Sequence, residues 1–561
     1  MSRNHEKAVD SLKKQSYSVI AVVCVIYCSA AAGAFGVEEM IQGCGPGMTL
    51  IVLIGIALVW ALPDCFRIAE MSSVMPGEGG YYYWAKQILG EFWGFQMGWW
   101  AAVSFYVCSS TYIVLAVNYI STLLPLNNAQ ATIIKVAIVV IFTAVNLLGL
   151  KEVSVMSTIF SIAILVAFAV VTIVGFANWN YNPVEPLVPE GMGFMESLGM
   201  GIGIGVWMYC GWGIITMVAG EVKNSQVIPK ALRIVVPLTA LSYILPSIAG
   251  LAAIGHWDSW TTIGAEGVGF STVLTKFAGP AAAAVFVVIA VIGQLAMFNT
   301  NMAGGSRTLF VLADDNLFPK KGITYVSKKR GVPTVGILTI AAVTILMMQM
   351  SFQTLILIQV IPILAVAVLM SIIIVKARKV MPKEERIGCY VVGGGKLGLF
   401  AVVTGPAVIG VLAFFLNGMD YFLYGLLFLL SGIVLYIIFK LIYDGFHKTE
   451  PDKYPRNEKT RLAKGDLFRL GDMFMIIGGT AFAGSFIFKW LEGSWGPEYY
   501  ASEYGSGLLS SFYGMIQALM IGGIVCIVIA VIFWLIGRAK DKRTVMPAYV
   551  DMPKHDEHDS E

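Results

Sequence analysis

Ser29-Ala30-Ala31-Ala32-Gly33-Ala34-Phe35-Gly36 interrupts an apolar run that extends from Tyr17 to Gly43. Two glycines and a row of small residues sit where a membrane helix would have its midpoint, and glycine weakens a helix by about 1 kcal/mol relative to alanine. A second run, 199–220, carries Gly201-Ile202-Gly203-Ile204-Gly205, then Trp207, Tyr209, Gly211, Trp212 and Gly213. Taken singly, such glycines read as close-packing points between helices. Their positions add something. The two runs are the first and sixth apolar segments, so each opens a set of five. Interrupted helices at matching places in two halves point to a transport site built from unwound backbone.

Outward from these stretches the chain reads as one membrane segment after another. A spanning helix needs roughly 20 mostly apolar residues. Such segments fall near 17–43, 47–71, 92–124, 130–148, 152–178, 199–220, 230–254 and 281–309. Six more follow near 333–350, 352–375, 397–416, 420–441, 471–491 and 510–537. The expectation is an all-α polytopic membrane protein with about fourteen transmembrane helices, inverted five-helix repeats (helices 1–5 and 6–10) and broken helices 1 and 6. The bulk numbers agree: of 561 residues 57% are hydrophobic and 13% charged, and mean hydropathy is +0.76. Soluble domains carry about 25% charged residues. Disorder and an ordinary soluble enzyme are poor fits, and a net charge of +3 gives no field for nucleic acid. The eight Cys form no CxxC spacing and the five His lie in loops or tails, so no metal or cofactor is expected.

Lysine and arginine fix the orientation, because cytoplasmic loops retain them. With fourteen spans and a cytoplasmic N-terminus, only Lys135, Lys276 and Lys489 fall at the outer side. The expected organisation is a cytoplasmic tail (1–16), a first repeat (17–178), a second repeat (199–375), helices 11–12 (397–441), a cytoplasmic linker (442–470), two extra helices (471–537) and a cytoplasmic C-terminal tail (538–561). Lys13-Lys14, the apolar stretch from Tyr17 and the small residues at 29–32 mimic a signal peptide. Cleavage there would leave an odd helix count, so retention is expected.

Several ordered motifs carry a resemblance. Gly33-Ala34-Phe35-Gly36-Val37-Glu38-Glu39 with Gly45-Pro46-Gly47 resembles the first helix of the amino acid–polyamine–organocation (APC) transporter superfamily. Met75-Pro76-Gly77-Glu78-Gly79-Gly80-Tyr81 and Gly90-Glu91-Phe92-Trp93-Gly94-Phe95-Gln96 are similar to its first cytoplasmic loop and third helix. Gly211-Trp212, Gly220-Glu221-Val222-Lys223-Asn224, Ser306-Arg307 and Pro333-Thr334 resemble its sixth helix, eighth helix and entry to the ninth. The matches run in order over about 17–375. The resemblance implies ten helices in two inverted repeats, commonly with two more, and says little about 471–537.

An unwound segment followed by a half-helix from Val37 aims N–H groups and a positive dipole end inward, which suits a carboxylate. The break at 201–205, with Gly205 at its end, would offer groups for an ammonium. By resemblance Ala32, Gly33, Ala34 and Gly36 line the carboxylate side, and Trp207 is the aromatic that closes over substrate from outside. Tyr209, Gly211 and Trp212 add contacts, with cation–π interaction open to the rings. Glu38 and Glu39 are the acids furthest from a cytoplasmic end. Either neutralises a cation or takes up a proton, or both simply face water at the outer mouth. Glu38 matches the acidic residue after Phe-Gly-Val in polyamine-transporter-like members. Asp64 and Arg67, three apart, read as a structural ion pair, while Glu70 and Glu221 end helices two and six as gate or loop-anchor candidates.

Two departures from the family pattern matter. Many members carry an acid two residues after the helix-six glycine, where this chain has Gly213, and that tells against a polycation. Proton-coupled members often have a helix-five lysine, which is absent after the first turn of 152–178. Proton or sodium symport and exchange against a counter-substrate all stay open, as does the oligomeric state. The expected function is a secondary active transporter for an amino acid or closely related amine in the plasma membrane, not an enzyme. Polyamine uptake is the alternative. A non-transporting nutrient sensor is a third reading, disfavoured by the short tails and linker. The partners implied are a small-molecule substrate and the lipid bilayer.

Overall fold

The apolar segments fold as helices at the predicted places. The computed structural model describes residues 18–30, 33–76, 79–148, 153–217, 226–262, 268–315, 317–319, 323–327, 332–381, 386–442, 462, 465–492, 496–504 and 511–540. The 1–16 tail, most of the 442–470 linker, residues 541–561, and Ala32 and Glu221 therefore lie outside the described residues.

The first half comprises α1 (Val19–Ala30), α2 (Val37–Cys44), α3 (Pro46–Val74), α4 (Tyr81–Leu89), α5 (Glu91–Leu123), α6 (Asn128–Leu148) and α7 (Val153–Ala177). The second comprises α8 (Phe194–Met208), α9 (Ile214–Met217), α10 (Val227–Ile254), α11 (Phe270–Ala278), α12 (Pro280–Asp314), α13 (Thr334–Met347) and α14 (Phe352–Val380). Then come α15 (Gly395–Leu416), α16 (Met419–Ile442), α17 (Asp466–Trp490), the short α18 (Pro497–Tyr504) and α19 (Phe512–Lys540). Among the described residues eleven helices are long and apolar enough to cross a membrane. The shorter apolar helices α1, α8 and α13 occupy the first, sixth and ninth predicted segments.

Burial sorts the helices into an inner and an outer set. The most apolar stretch of α5 is 89% buried, against 11% for α6 and 17% for α19. So α5 runs through the middle of the bundle, packed by α12 and α14, while α6 and α19 present Ile141, Val528 and Leu535 outward. Exposed apolar faces on peripheral helices are what a protein surrounded by lipid presents.

The sixth segment corrects one expectation. Its Gly201–Gly205 stretch is helical, inside α8. There glycine serves contact: a Cβ on Gly205 would lie 2.8 Å from Val52 on α3, and one on Gly199 would lie 2.3 Å from the Leu416 carbonyl oxygen of α15. Small residues let membrane helices approach this closely. The chain unwinds later, between Met208 and Ile214, around Gly211 at φ 95°.

A second local feature was not foreseen. Residues Ala57–Ala61 of α3 form a π-helical turn directly before Leu62-Pro63. Proline has no N–H to give the carbonyl four residues back, here Val59, and the helix widens at that point. The carbonyl abuts α15, where a Cβ on Gly405 would lie 2.2 Å from the Val59 oxygen.

Candidate functional site

The first break is made by two left-handed glycines, Gly33 at φ 96° and Gly36 at φ 91°. Gly36 caps the start of α2. Phe35 between them packs its ring 4.8 Å from Phe168 of α7 and 5.4 Å from Tyr119 of α5. Gly33 lies under the same Phe168 ring, and Ala34 is fully buried. Aromatic side chains thus fill the space beside this break.

At the second break the freed carbonyls find local donors, as helix ends require. Trp212 Nε1 donates to the Tyr209 oxygen at 2.7 Å, and the Tyr243 hydroxyl donates to the Met208 oxygen at 3.0 Å. Tyr209 packs against Tyr243 at 5.1 Å, and both Tyr209 and Trp212 are fully buried.

Against this break lies a cavity of about 60 Å³. Trp60 and Asp64 of α3, Tyr81 of α4, and Phe105, Cys108 and Tyr112 of α5 form one wall. Cys210, Gly211 and Gly213 of the break, Asn301 of α12 and Gln359 of α14 form the other. Asn301 is held in place: its amide donates to the Phe105 oxygen at 2.5 Å and to Ser109 Oγ at 2.7 Å. Tyr81 takes the space that a side chain at 213 would need, since a Cβ on Gly213 would sit 2.2 Å from its hydroxyl oxygen. Gly80, at φ 39°, lets this loop come against Thr216, where a Cβ would lie 2.1 Å from Oγ1. The Gly79-Gly80-Tyr81 motif and the missing acid at 213 are two sides of one contact.

Beside the cavity, behind Tyr112, aromatic rings pack against one another. Trp207 packs edge-on to Phe352 at 5.3 Å and lies 6.2 Å from Tyr112, and Gly36 sits against Phe352. Glu38 and Glu39 are 1% and 2% exposed, so neither faces water. The Tyr119 hydroxyl donates to the Glu38 carboxylate at 3.1 and 3.2 Å. The Thr262 backbone N–H donates to Glu39 Oε1 at 3.0 Å, and the Thr262 hydroxyl donates to the same oxygen. Glu39 therefore ties α2 to the segment between α10 and α11. Thr262→Val removes the hydroxyl and leaves a buried carboxylate short of a donor, a loss of about 1–3 kcal/mol. A lower thermal midpoint in detergent is the expected result, with Thr262→Ser near wild type.

Glu70 closes the other end of α3. Arg378 of α14 donates to it through Nε at 2.7 Å and Nη2 at 2.5 Å, and the Val392 N–H donates at 2.8 Å. The arrangement locks α3, α14 and the loop before α15 together.

Of the site residues expected from sequence, Gly211 lines the cavity and Trp207 stands beside it through Tyr112. Gly33, Ala34 and Gly36 form the first break, Gly205 faces α3, and Tyr209 and Trp212 are packed away from the cavity. Trp60, Tyr81, Cys108 and Tyr112 were not singled out. For Trp60 the available signal was Pro63 three residues on, which breaks the helix ladder. For Tyr81 it was the pair of glycines before it.

The family model described as amino acid permease matches residues 17–444. A probable polyamine transporter of Arabidopsis thaliana is 28% identical over 62% of this chain and 68% of its own length. A polyamine transporter of Oryza sativa subsp. japonica is 25% identical over 60% of this chain and 62% of its own length. The gamma-aminobutyric acid permease of Bacillus subtilis (strain 168) is 25% identical over 60% and 71%. The chain thus spans about two thirds of the length of these relatives.

Proposed function

The chain belongs to the amino acid permease family, and from that premise we propose a secondary active transporter that moves an amino acid or closely related amine by alternating access around α1–α2 and α8–α9. It is a multi-pass membrane protein of transporter type, not an enzyme. The observation that carries the reading is the cavity at the second break, with Trp207 and Phe352 packed beside it. Unwound backbone inside protein supplies N–H and C=O groups that lipid could not tolerate. The relatives named for polyamines and for gamma-aminobutyrate share a primary ammonium as the chemical feature of their substrates.

The placement proposed for the chain is the plasma membrane, with both termini cytoplasmic, supported by the Lys/Arg asymmetry. In that orientation the Trp207–Phe352 contact closes the outer path and the Glu70–Arg378 lock lies on the cytoplasmic side. The two repeats are 17–178 and 199–375, with α15–α16 and α17–α19 added. Gly33, Ala34, Gly36, Glu38, Trp207 and Gly211 are the residues proposed at the substrate path, with Trp207 and Glu70 as gates. Polyamine uptake is the second reading. The plant relatives favour it, and the absence of an acid at Gly213 opposes it.

The test is uptake into liposomes of pooled labelled amino acids and polyamines, under a proton gradient, a sodium gradient or internal unlabelled substrate. Accumulation of one pool is expected, falling at least ~10-fold in Trp207→Ala because one wall of the closed path is lost, a barrier change of about 1.4 kcal/mol or more. Glu38→Gln separates the two readings. Loss of a polyamine with retention of a neutral amino acid assigns Glu38 to cation recognition.

A further inference from the structure

We propose that Asp64 is the ammonium receptor of this transporter and that Arg67 is its clamp, so that the substrate is an aminocarboxylate of zero net charge. The inference rests on the transport reading above and sharpens it.

Asp64 is the one acid among the cavity-lining residues, and none of them is Lys or Arg. One carboxylate oxygen is spent: Arg67 Nη2 donates to Oδ1 at 2.5 Å. For Oδ2 no donor is found among the described residues. Arg67 does not compete for a ligand, because its side chain has 0% exposure and its Nη1 donates to the Ala367 oxygen at 2.9 Å and to Ser371 Oγ at 2.5 Å. It is bound to α14, and it fixes the rotamer of Asp64.

The surroundings suit a cation with N–H groups. Trp60, Tyr81 and Tyr112 bring aromatic rings to the same small space, and ring faces attract an ammonium. The π turn at Ala57–Ala61 lies one turn before Asp64 and also carries Trp60. Such turns recur at functional sites because they re-aim the residues that follow.

Charge counting selects the class. Asp64 and Arg67 sum to zero, so a bare cation would enter a site with no net compensation. A substrate that brings its own carboxylate leaves the total unchanged. Burying an uncompensated charge is costly, while a balanced set is tolerated.

The test combines transport with a measurement that does not need it. Cys210 lines the cavity and is half-buried, so full-length protein in liposomes is treated with cationic aminoethyl or anionic sulfonatoethyl methanethiosulfonate and modification is read by mass spectrometry. Cys389, in the loop before α15, is the internal reference. Wild type should favour the cationic reagent at Cys210 at least ~5-fold relative to Cys389, and Asp64→Asn should abolish that preference, since attraction of a unit charge in a low-dielectric site is what is removed. The asparagine Oδ1 still accepts from Arg67, but the buried guanidinium loses its counter-charge, so Asp64→Asn should lower the thermal midpoint and labelling is read on the folded fraction, while Asp64→Glu keeps the charge and should retain the preference. In uptake, gamma-aminobutyrate and neutral amino acids should show KM raised at least ~10-fold in Asp64→Asn. Unchanged labelling preference and unchanged KM in a folded Asp64→Asn overturn the proposal, as does wild-type uptake confined to polyamines. A preference that depends on Asp64 in a protein that transports no pool keeps the ammonium receptor and removes the transport reading instead.

Discussion

Gly33→Ala is expected to abolish most transport and to destabilise the protein, although it adds a single methyl group. Two costs act together. The residue sits at φ 96°, a left-handed conformation that costs an L-residue with a Cβ about 1–2 kcal/mol. The new Cβ would lie 2.2 Å from Phe168 Cε2 and 2.9 Å from Ile164 Cγ2, and overpacking of this kind costs about 1–3 kcal/mol. Phe168 cannot yield easily, because its ring is wedged against Phe35, Phe270 and Phe286. The measurement is the thermal midpoint in detergent together with initial uptake, where a loss of at least ~10-fold corresponds to the ~1.4 kcal/mol by which the break would be displaced. Adding Phe168→Ala should recover part of the loss by removing the clash, and the φ cost should stay. Gly55→Ala is the contrast. Gly55 is helical with open space where its Cβ would be, so the same change should be neutral or stabilising by up to about 1 kcal/mol. A Gly33→Ala protein as stable and active as Gly55→Ala would show that the first break tolerates a side chain after all.

How much of this was legible in the sequence depends on which physical rule a residue obeys. Length and hydropathy placed the helices, since a bilayer imposes one length on each segment. The first break was readable because Gly33 and Gly36 stand alone in an otherwise apolar helix. The second was misplaced by several residues for a related reason. Gly201, Gly203 and Gly205 have the same composition as a break, but they are spent on approach to α2, α3 and Asn417. A glycine that accepts a neighbour and one that takes positive φ look alike until the neighbour is known. Asp64 shows the converse limit. Its spacing to Arg67 gave the ion pair correctly, at 2.5 Å. What spacing does not carry is that Asp64 also lines a cavity assembled from α3, α4, α5, α12 and α14, elements hundreds of residues apart. Glu38 and Glu39 were open between exposure and function. Tyr119 and Thr262, from distant parts of the chain, decide against exposure.

Lys440→Met should be among the most destabilising substitutions in the chain, and the reason also explains how the appended helices are held. The family match ends at residue 444, before α17. Yet α17 is joined to the body by charges buried deep between helices. Lys440 of α16 lies 2.9 Å from Glu91 at the start of α5 and 3.9 Å from Asp466 at the start of α17. Arg469 reaches Asp466 at 2.9 Å, and the Tyr436 hydroxyl donates to it at 2.5 Å. The side chains of Lys440 and Asp466 are 0% exposed and that of Glu91 is 3% exposed. Among the described residues two acids face two bases, Glu91 and Asp466 against Lys440 and Arg469, and their charges balance. Removing Lys440 leaves Glu91 and Asp466 short of a counter-charge, and breaking a buried pair costs about 3–5 kcal/mol, whereas replacing a whole cluster by neutral groups is often tolerated. The expected order of thermal midpoints is therefore wild type above Lys440→Met/Glu91→Gln, which removes one pair whole and leaves Asp466 with Arg469, and that double variant above Lys440→Met alone. A single variant as stable as wild type would mean that water or a local rearrangement replaces the lysine. Uptake should track the same order. Glu91 opens α5, the helix that carries Cys108 and Tyr112 to the cavity, so slack at its first turn reaches the substrate path along a single rigid element.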